Sequence, residues 1–296
     1  MIKKFFVLML AMVLVASLLA GCGGSTNSPN DHEDDWSDNN TTAIPAEKTD
    51  ETTPDNSDIS ENEYIIGKII NFGGYSWRVL SIENGKALII TEHIIDMQPY
   101  NNGLEKRYEK TTWETCDLRV YLNENFYNSF SDADKTKILE VTNTNEDNQL
   151  YGTAGGNDTA DKVFLLSLSE LTKYFGDSGQ LATSDNGLID DEYNANRMAK
   201  LNVSEEVINK AAEGLVADVE YNWTYNRAVE FIKEFISNSS YSWALRSPGE
   251  DAYWITGVKG ENVGDKRHWG VVDLHVFDYV DSVILGIRPA MWIGFE

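Results

Sequence analysis

Residues 23–61 lack what a chain needs to fold, and this divides the molecule before any element is assigned. Ser, Thr, Asn and Asp dominate the stretch, Trp36 is its one aromatic residue, and eleven acids stand against Lys48 alone, a net charge of −10. So little apolar surface cannot offset the entropy lost on ordering, and like charges repel one another. The segment is expected to be a disordered, solvated tether. Its 39 residues would have a random-coil reach of ~35 Å, lengthened by self-repulsion. Whatever packs must then lie in residues 62–296, which hold seven of the eight tryptophans and suffice for a sizeable core.

The segment before the tether is of a different kind. Lys3 and Lys4 precede a run from Phe5 to Ala20 that is apolar apart from one serine. Its 16 residues fall short of the roughly 20 that cross a bilayer as a helix, and they match the core of a secretory leader. The run ends in Leu19-Ala20-Gly21-Cys22, which resembles the lipobox of bacterial lipoproteins. That resemblance implies removal of residues 1–21 and diacylglycerol on the Cys22 thiol. The chain is thus expected on the outer face of the bacterial cytoplasmic membrane, held by lipid, with residues 22–61 as its tether.

Charge narrows the partners. With 48 Asp and Glu against 24 Lys and Arg the net charge is −24, so the displacement of phosphate counterions that nucleic-acid binding needs is unavailable. Anionic headgroups would repel the same surface, which leaves the lipid as the membrane contact. Two cysteines build neither a disulfide framework nor a cysteine-rich zinc site.

Within 62–296 strands come first. Residues 64–70, 76–82 and 86–91 are short β-branched or apolar runs, and Asn84-Gly85 between the last two predicts a hairpin because both residues tolerate positive φ. Leu118, Tyr121, Leu122 and Phe126 recur at helical spacing over 115–129. Ser131 is placed to cap a helix over 135–140, and 163–166 is expected as a short buried strand. Ser167 and Glu170 have the spacing of a capping box, with a helix to Phe175. Further helices are predicted at 204–214 and 222–236. Strands return at 241–246, 252–256, 268–276, 282–287 and 290–293. Strands at both ends with helices between predict an α+β fold rather than parallel βαβ alternation, and apolar strands at the two ends are expected to pair, 64–70 with 288–294, so as to cover their edges.

Several of these segments together resemble a domain family found in Firmicutes lipoproteins and known only as a domain of unknown function, number 6273. They are Phe72 to Leu80, Thr112 to Asn123, Asp161 to Ser167 and Trp243 to Gly249, with Gly286 to Ala290 near the end. The match is expected to cover about 65–296, and it implies no catalytic residue. The C-terminal third is also similar to the formylglycine-generating-enzyme branch of the C-type-lectin fold. This similarity implies a mixed or antiparallel sheet with the two terminal strands side by side. The chain departs from that branch by a helical insertion near 176–240 and by lacking its cysteine pair.

Chemistry-bearing residues are few. Cys116 has no histidine near it in sequence to lower its pKa, so it is expected to be a buried, inert thiol. Arg119, Arg246 and Arg288 sit among apolar residues, which predicts buried guanidiniums in structural pairs with Glu114, Asp117 or Asp161. His268 and His275 lie near Asp265, Asp273 and Asp278 without the spacing of a zinc site. No cofactor is predicted; oxygen-rich runs at 185–192 and 157–161 leave calcium as the alternative. Trp254, His268, Trp269 and His275 beside the turn-forming loops of 247–281 are the expected ligand-binding residues, the indoles serving as stacking faces. The chain is therefore expected to be a lipid-anchored extracytoplasmic binding or interaction module for cell-wall glycan, peptide or protein. The alternative is a surface hydrolase using cleft carboxylates on wall glycan or peptide.

Overall fold

A computed structural model of the chain describes residues 64–106, 108–179, 188–189, 192–218, 222–236, 240–260, 272–279, 282 and 284–295. The leader, Cys22 and the tether lie outside them. The strands in chain order are β1 (Ile69–Phe72), β2 (Tyr75–Glu83), β3 (Lys86–Thr91), β4 (Asp96–Met97), β5 (Ile138–Leu139), β6 (Val141–Asn143), β7 (Thr159–Asp161), β8 (Leu188–Ile189), β9 (Trp243–Pro248), β10 (Trp254–Val258), β11 (Val272–Tyr279), β12 (Gly286–Ile287) and β13 (Ala290–Gly294). The helices are α1 (Asp117–Tyr121), α2 (Asp132–Lys137), α3 (Leu168–Phe175), α4 (Asn194–Arg197), α5 (Glu205–Ala217) and α6 (Tyr225–Ile236). Helices and largely antiparallel sheets make the fold α+β. Among the described residues no helix is long and apolar enough to cross a membrane.

One sheet has the order β1-β2-β3-β13-β5. Asn84 and Gly85 both take positive φ, 51° and 72°, so the two-residue turn matches the twist of its strands and sets Glu83 opposite Lys86. A second sheet has the order β4-β12-β9-β10-β11-β8, and β12 runs parallel to β9. All six residues of β9 are buried, as a strand covered on both faces must be. Gly286 allows β12 to lie against it, since a Cβ there would sit 2.2 Å from the Ser242 carbonyl oxygen. Buried residues of both sheets and of the helices form one contiguous core. Trp77, Trp113 and Trp243 have no exposure at all; each removes on the order of 200 Å² from water, ~5 kcal/mol of transfer.

The chain passes between the sheets twice, side by side. From β3 to β4 it leaves the first sheet for the second, and from β12 to β13 it returns, β3 pairing with β13 and β4 with β12. Arg288 lies at the second crossing. Its Nε donates to the Thr91 carbonyl at 2.7 Å and its Nη2 to the Glu92 carbonyl at 3.4 Å, so one side chain ties the two crossings together.

Three expectations change. The terminal strands share a sheet but do not pair: β2 and β3 stand between β1 and β13. The tight turns after β1 and β2 commit each strand to its sequence neighbour, which leaves β1 and β3 as the two outer edges, and β13 takes that of β3. The two ends of the domain meet instead through Tyr64, whose ring stacks on Phe295 at 4.5 Å. The helix expected over 115–129 is broken. A 3-10 turn at Trp113–Thr115 precedes extended Cys116, whose Sγ accepts the Arg119 N–H and caps α1, and a π-turn follows at Leu122–Phe126. Residues 163–166 are wholly buried but form no strand; Phe164 and Ala290 exchange two backbone bonds and nothing more of a ladder follows. Elsewhere the helices at 168–175, 205–217 and 225–236 stand close to their expected places, the last two packing on each other within the 176–240 region.

Candidate functional site

The loop that joins β9 to β10 carries the aromatic corner expected from the sequence. Pro248 ends β9, and the Gly249 N–H donates to the Trp254 carbonyl at 2.9 Å, closing the turn. Neighbouring segments hold it in place. Asn148 Nδ2 donates to the Pro248 carbonyl at 2.9 Å, the Thr111 N–H to the Ala252 carbonyl at 2.8 Å, and the Thr153 hydroxyl to the Glu250 carbonyl at 2.5 Å. On this base Trp254 and Tyr253 stand half-buried, ring centroids 5.9 Å apart, and Tyr108 packs edge-on against Tyr253 at 5.9 Å. Tyr108 is 63% exposed. The Tyr253 hydroxyl donates to Asp251 at 3.0 Å, and that carboxylate holds the phenol above its ordinary pKa. A rigid turn thus offers aromatic faces beside carboxylates, an arrangement that stacks on rings and accepts hydrogen bonds.

Of the other expected ligand residues, His275 falls within β11, where the backbone alone is described. His268 and Trp269 lie outside the described residues. Tyr108 was not expected from the sequence: it is an isolated tyrosine in a charged stretch, and only the folding of 108–111 against Ala252 brings it to the corner.

The three arginines serve different ends. Arg119 Nε reaches Asp161 at 2.5 Å, and Asp161 also accepts from Trp113 Nε1, Asn143 Nδ2 and the Thr159 hydroxyl at 2.7–2.9 Å. Arg246 pairs with Glu170 rather than with any of the three acids expected, and it also donates to the carbonyls of Leu165 and Thr144. Arg288 corrects the expectation, because carbonyls and rings hold it and, among the described residues, no acid pairs with it. It is 2% exposed and lies 5.1 Å from the Trp243 ring and 5.4 Å from that of Phe175. Its Nη1 has no hydrogen-bond partner. Burial pulls its pKa down to about 10.

Two clefts among the described residues bear on the chemistry. One of about 500 Å³ has Lys86 and Trp292 on one wall and Ser167, Glu170 and Arg246 on the other. Three of its charged groups are already engaged: Lys86 lies 4.4 Å over the Trp292 ring, and Glu170 binds both Arg246 and the Ser167 N–H; Glu83 and Glu146 line it as well. The other, about 330 Å³, lies between α1 and α5. Behind its wall Asp96 is buried, and burial pushes its carboxyl up despite hydrogen bonds from Tyr121, Met97 and Gln98.

A family model described as a domain of unknown function, DUF6273, matches residues 84–295. The chain belongs to the DUF6273 family. No curated protein and no solved structure matched it. The matched DUF6273 region starts at the turn between β2 and β3, later than the expected 65, so the Phe72 to Leu80 motif falls before it. Yet β1 and β2 complete the sheet in which the DUF6273 strands β3, β13 and β5 lie.

Cys116 is a poor nucleophile in this DUF6273 domain. It is wholly buried, burial pushes its thiol up to about 12, and it donates to the Trp113 carbonyl at 3.4 Å. Among the described residues no group of three or more His, Cys, Asp or Glu is placed to hold a metal ion. In the 157–161 run the Asp161 oxygens are taken as above, and Asn157 turns its amide to Glu114 at 3.0 Å. Most of the 185–192 run lies outside the described residues.

Proposed function

We propose that the chain is a lipid-anchored extracytoplasmic binding module that presents its DUF6273 domain to cell-wall glycan or peptide. The observation that carries this reading is the aromatic corner: Tyr108, Tyr253 and Trp254 are at least partly exposed on a turn fixed by three side-chain or backbone bonds to other segments. Isolated exposed aromatics are ordinary, but three in contact on a rigid loop make a surface suited to sugar rings or apolar side chains. The Lys3-Lys4, apolar run and Leu19-Ala20-Gly21-Cys22 order supports the anchor. A lectin-like arrangement of the sheet belongs to the same reading; the terminal strands share one sheet, as it asks, but do not lie side by side.

The rival, a surface hydrolase, draws less support. Asp96 is the one carboxylate among the described residues held above its ordinary range. Its Oδ1 takes the Met97 N–H at 2.7 Å and its Oδ2 the Tyr121 hydroxyl at 2.6 Å, so it offers little to a substrate as general acid.

Sedimentation with purified wall sacculi tests the proposal. The full chain should co-sediment, and Tyr108→Ser with Tyr253→Ser should weaken this by ~10-fold or more, as lost stacking would, at an unchanged melting temperature. Cys22→Ser should move the protein from the membrane to the soluble fraction or leave an unprocessed precursor. No sedimentation of the wild type, or binding indifferent to the tyrosines, would refute the corner as a wall-binding face.

A further inference from the structure

The smaller cleft has two poles of opposite charge, and its geometry points to a site for a small zwitterion, a free aliphatic amino acid. Asp117, Tyr121 and Asn125 line one wall at successive turns of α1 and the π-turn, so Asp117 and Tyr121 are ~5–6 Å apart along the helix. Lys210 of α5 faces them, its Nζ 5.8 Å from the Tyr121 ring centroid. The interruption at Leu122–Phe126 sits at this wall, and such π-turns recur at functional sites.

The cationic pole is built from behind. Gln98 turns its Nε2 to the buried Asp96, 3.2 and 3.3 Å from the two carboxylate oxygens. That fixes the amide with its oxygen outward, where it accepts from Lys210 at 3.1 Å. Tyr121 donates to the same carboxylate at 2.6 Å, so the wall is rigid. The ammonium is thereby aimed but not neutralised: among the described residues Gln98 is its one hydrogen-bond partner, and no carboxylate stands within ion-pair distance. Two of its three N–H donors remain available.

The anionic pole is Asp117. Burial alone would raise its carboxyl, but the Lys106 ammonium at 2.8 Å and the Asn102 N–H at 2.9 Å prevail, and it stays ionised. Pro99, Leu118 and Val120 line the cleft as well, which suits an aliphatic side chain. The overall negative field disfavours a simple anion, whereas a zwitterion carries no net charge and satisfies both poles. A volume of about 330 Å³ lies at the small end of ligand sites.

Isothermal titration of the full chain in mild detergent with L-leucine tests the assignment. Leucine should bind with a Kd of roughly 10 μM to 1 mM, a range open to a ligand of about nine heavy atoms. N-acetyl-leucine lacks the ammonium and leucine methyl ester lacks the carboxylate, and each should bind at least ~10-fold more weakly. Lys210→Gln alters an exposed side chain and should keep the wild-type melting temperature; Asp117→Asn gives up the pair with Lys106 and should lower it by at most a few degrees; both should lose binding. No saturable heat with leucine, equal binding of the blocked derivatives, or unchanged affinity in Lys210→Gln would each overturn it.

Discussion

A carboxylate without solvent contact needs donors at both oxygens, and Asp161 shows how the chain supplies them, one at Oδ1 and three at Oδ2. Trp113, Arg119, Asn143 and Thr159 converge on it from four segments, so its charge costs little despite complete burial. Cys116, one turn before Val120, solves the opposite problem by staying neutral. Its thiol is pushed up to about 12 from an ordinary 9, so between these values the unfolded chain gives up the proton and the folded chain keeps it. Stability from this group is whole below pH 9 and falls as pH rises toward 12. In a Cys22→Ser chain Cys116 is the sole thiol. Iodoacetamide at pH 8.5 should leave it intact in buffer and alkylate it fully in denaturant; equal labelling rates would contradict the burial.

At the scale of elements, one residue serves a helix and a strand together. Ser167 caps α3 by accepting the Glu170 N–H at 3.1 Å, while Glu170 accepts the Ser167 N–H at 2.8 Å and the Arg246 guanidinium of β9. The two roles differ in energy. Ser167→Ala removes a cap, ~1 kcal/mol. Glu170→Ala also strands a 3%-exposed arginine side chain, for roughly 3–5 kcal/mol. Urea unfolding of the two variants should show this separation, and equal losses would mean that the pair with Arg246 contributes nothing beyond the cap. The broken helix after Trp113 follows the same logic: Cys116 must be extended to bury its sulfur and cap α1, so the register of Leu118 and Leu122 toward the core starts at Asp117 and not before.

At the scale of the molecule, the domain extends beyond the family match. A chain begun at residue 84 keeps the matched region but loses β2, which buries Trp77, Val79 and Leu80 against β3. Those three side chains represent ~10 kcal/mol of transfer, as much as the whole net stability of an ordinary domain. Fragment 84–296 should therefore give a poorly dispersed proton spectrum and no cooperative melt, whereas 64–296 should give a dispersed spectrum and a cooperative melt. A folded 84–296 would show β1 and β2 to be an accessory hairpin.

What the sequence alone determined is what short-range chemistry decides. Asn84-Gly85 specifies a turn because both residues accept positive φ, Ser167 and Glu170 mark a helix start three residues apart, and alternating strand and helix patterns place most elements in 64–295. The α+β class follows from their order. Long-range pairing was decided only in the tertiary structure. The tight hairpins leave both β1 and β3 as outer edges, and only the packing of the whole domain put β13 beside β3 instead of β1. Asp161, not an adjacent acid, takes Arg119, and Arg288 takes carbonyls and rings because Glu92, the acid at the crossing, gives its carboxylate to Arg78. Gln98 and Lys210 are 112 residues apart and carry no motif. Their meeting depends on a buried Asp96 turning one amide outward, a constraint that exists only once the core has excluded water from that carboxylate.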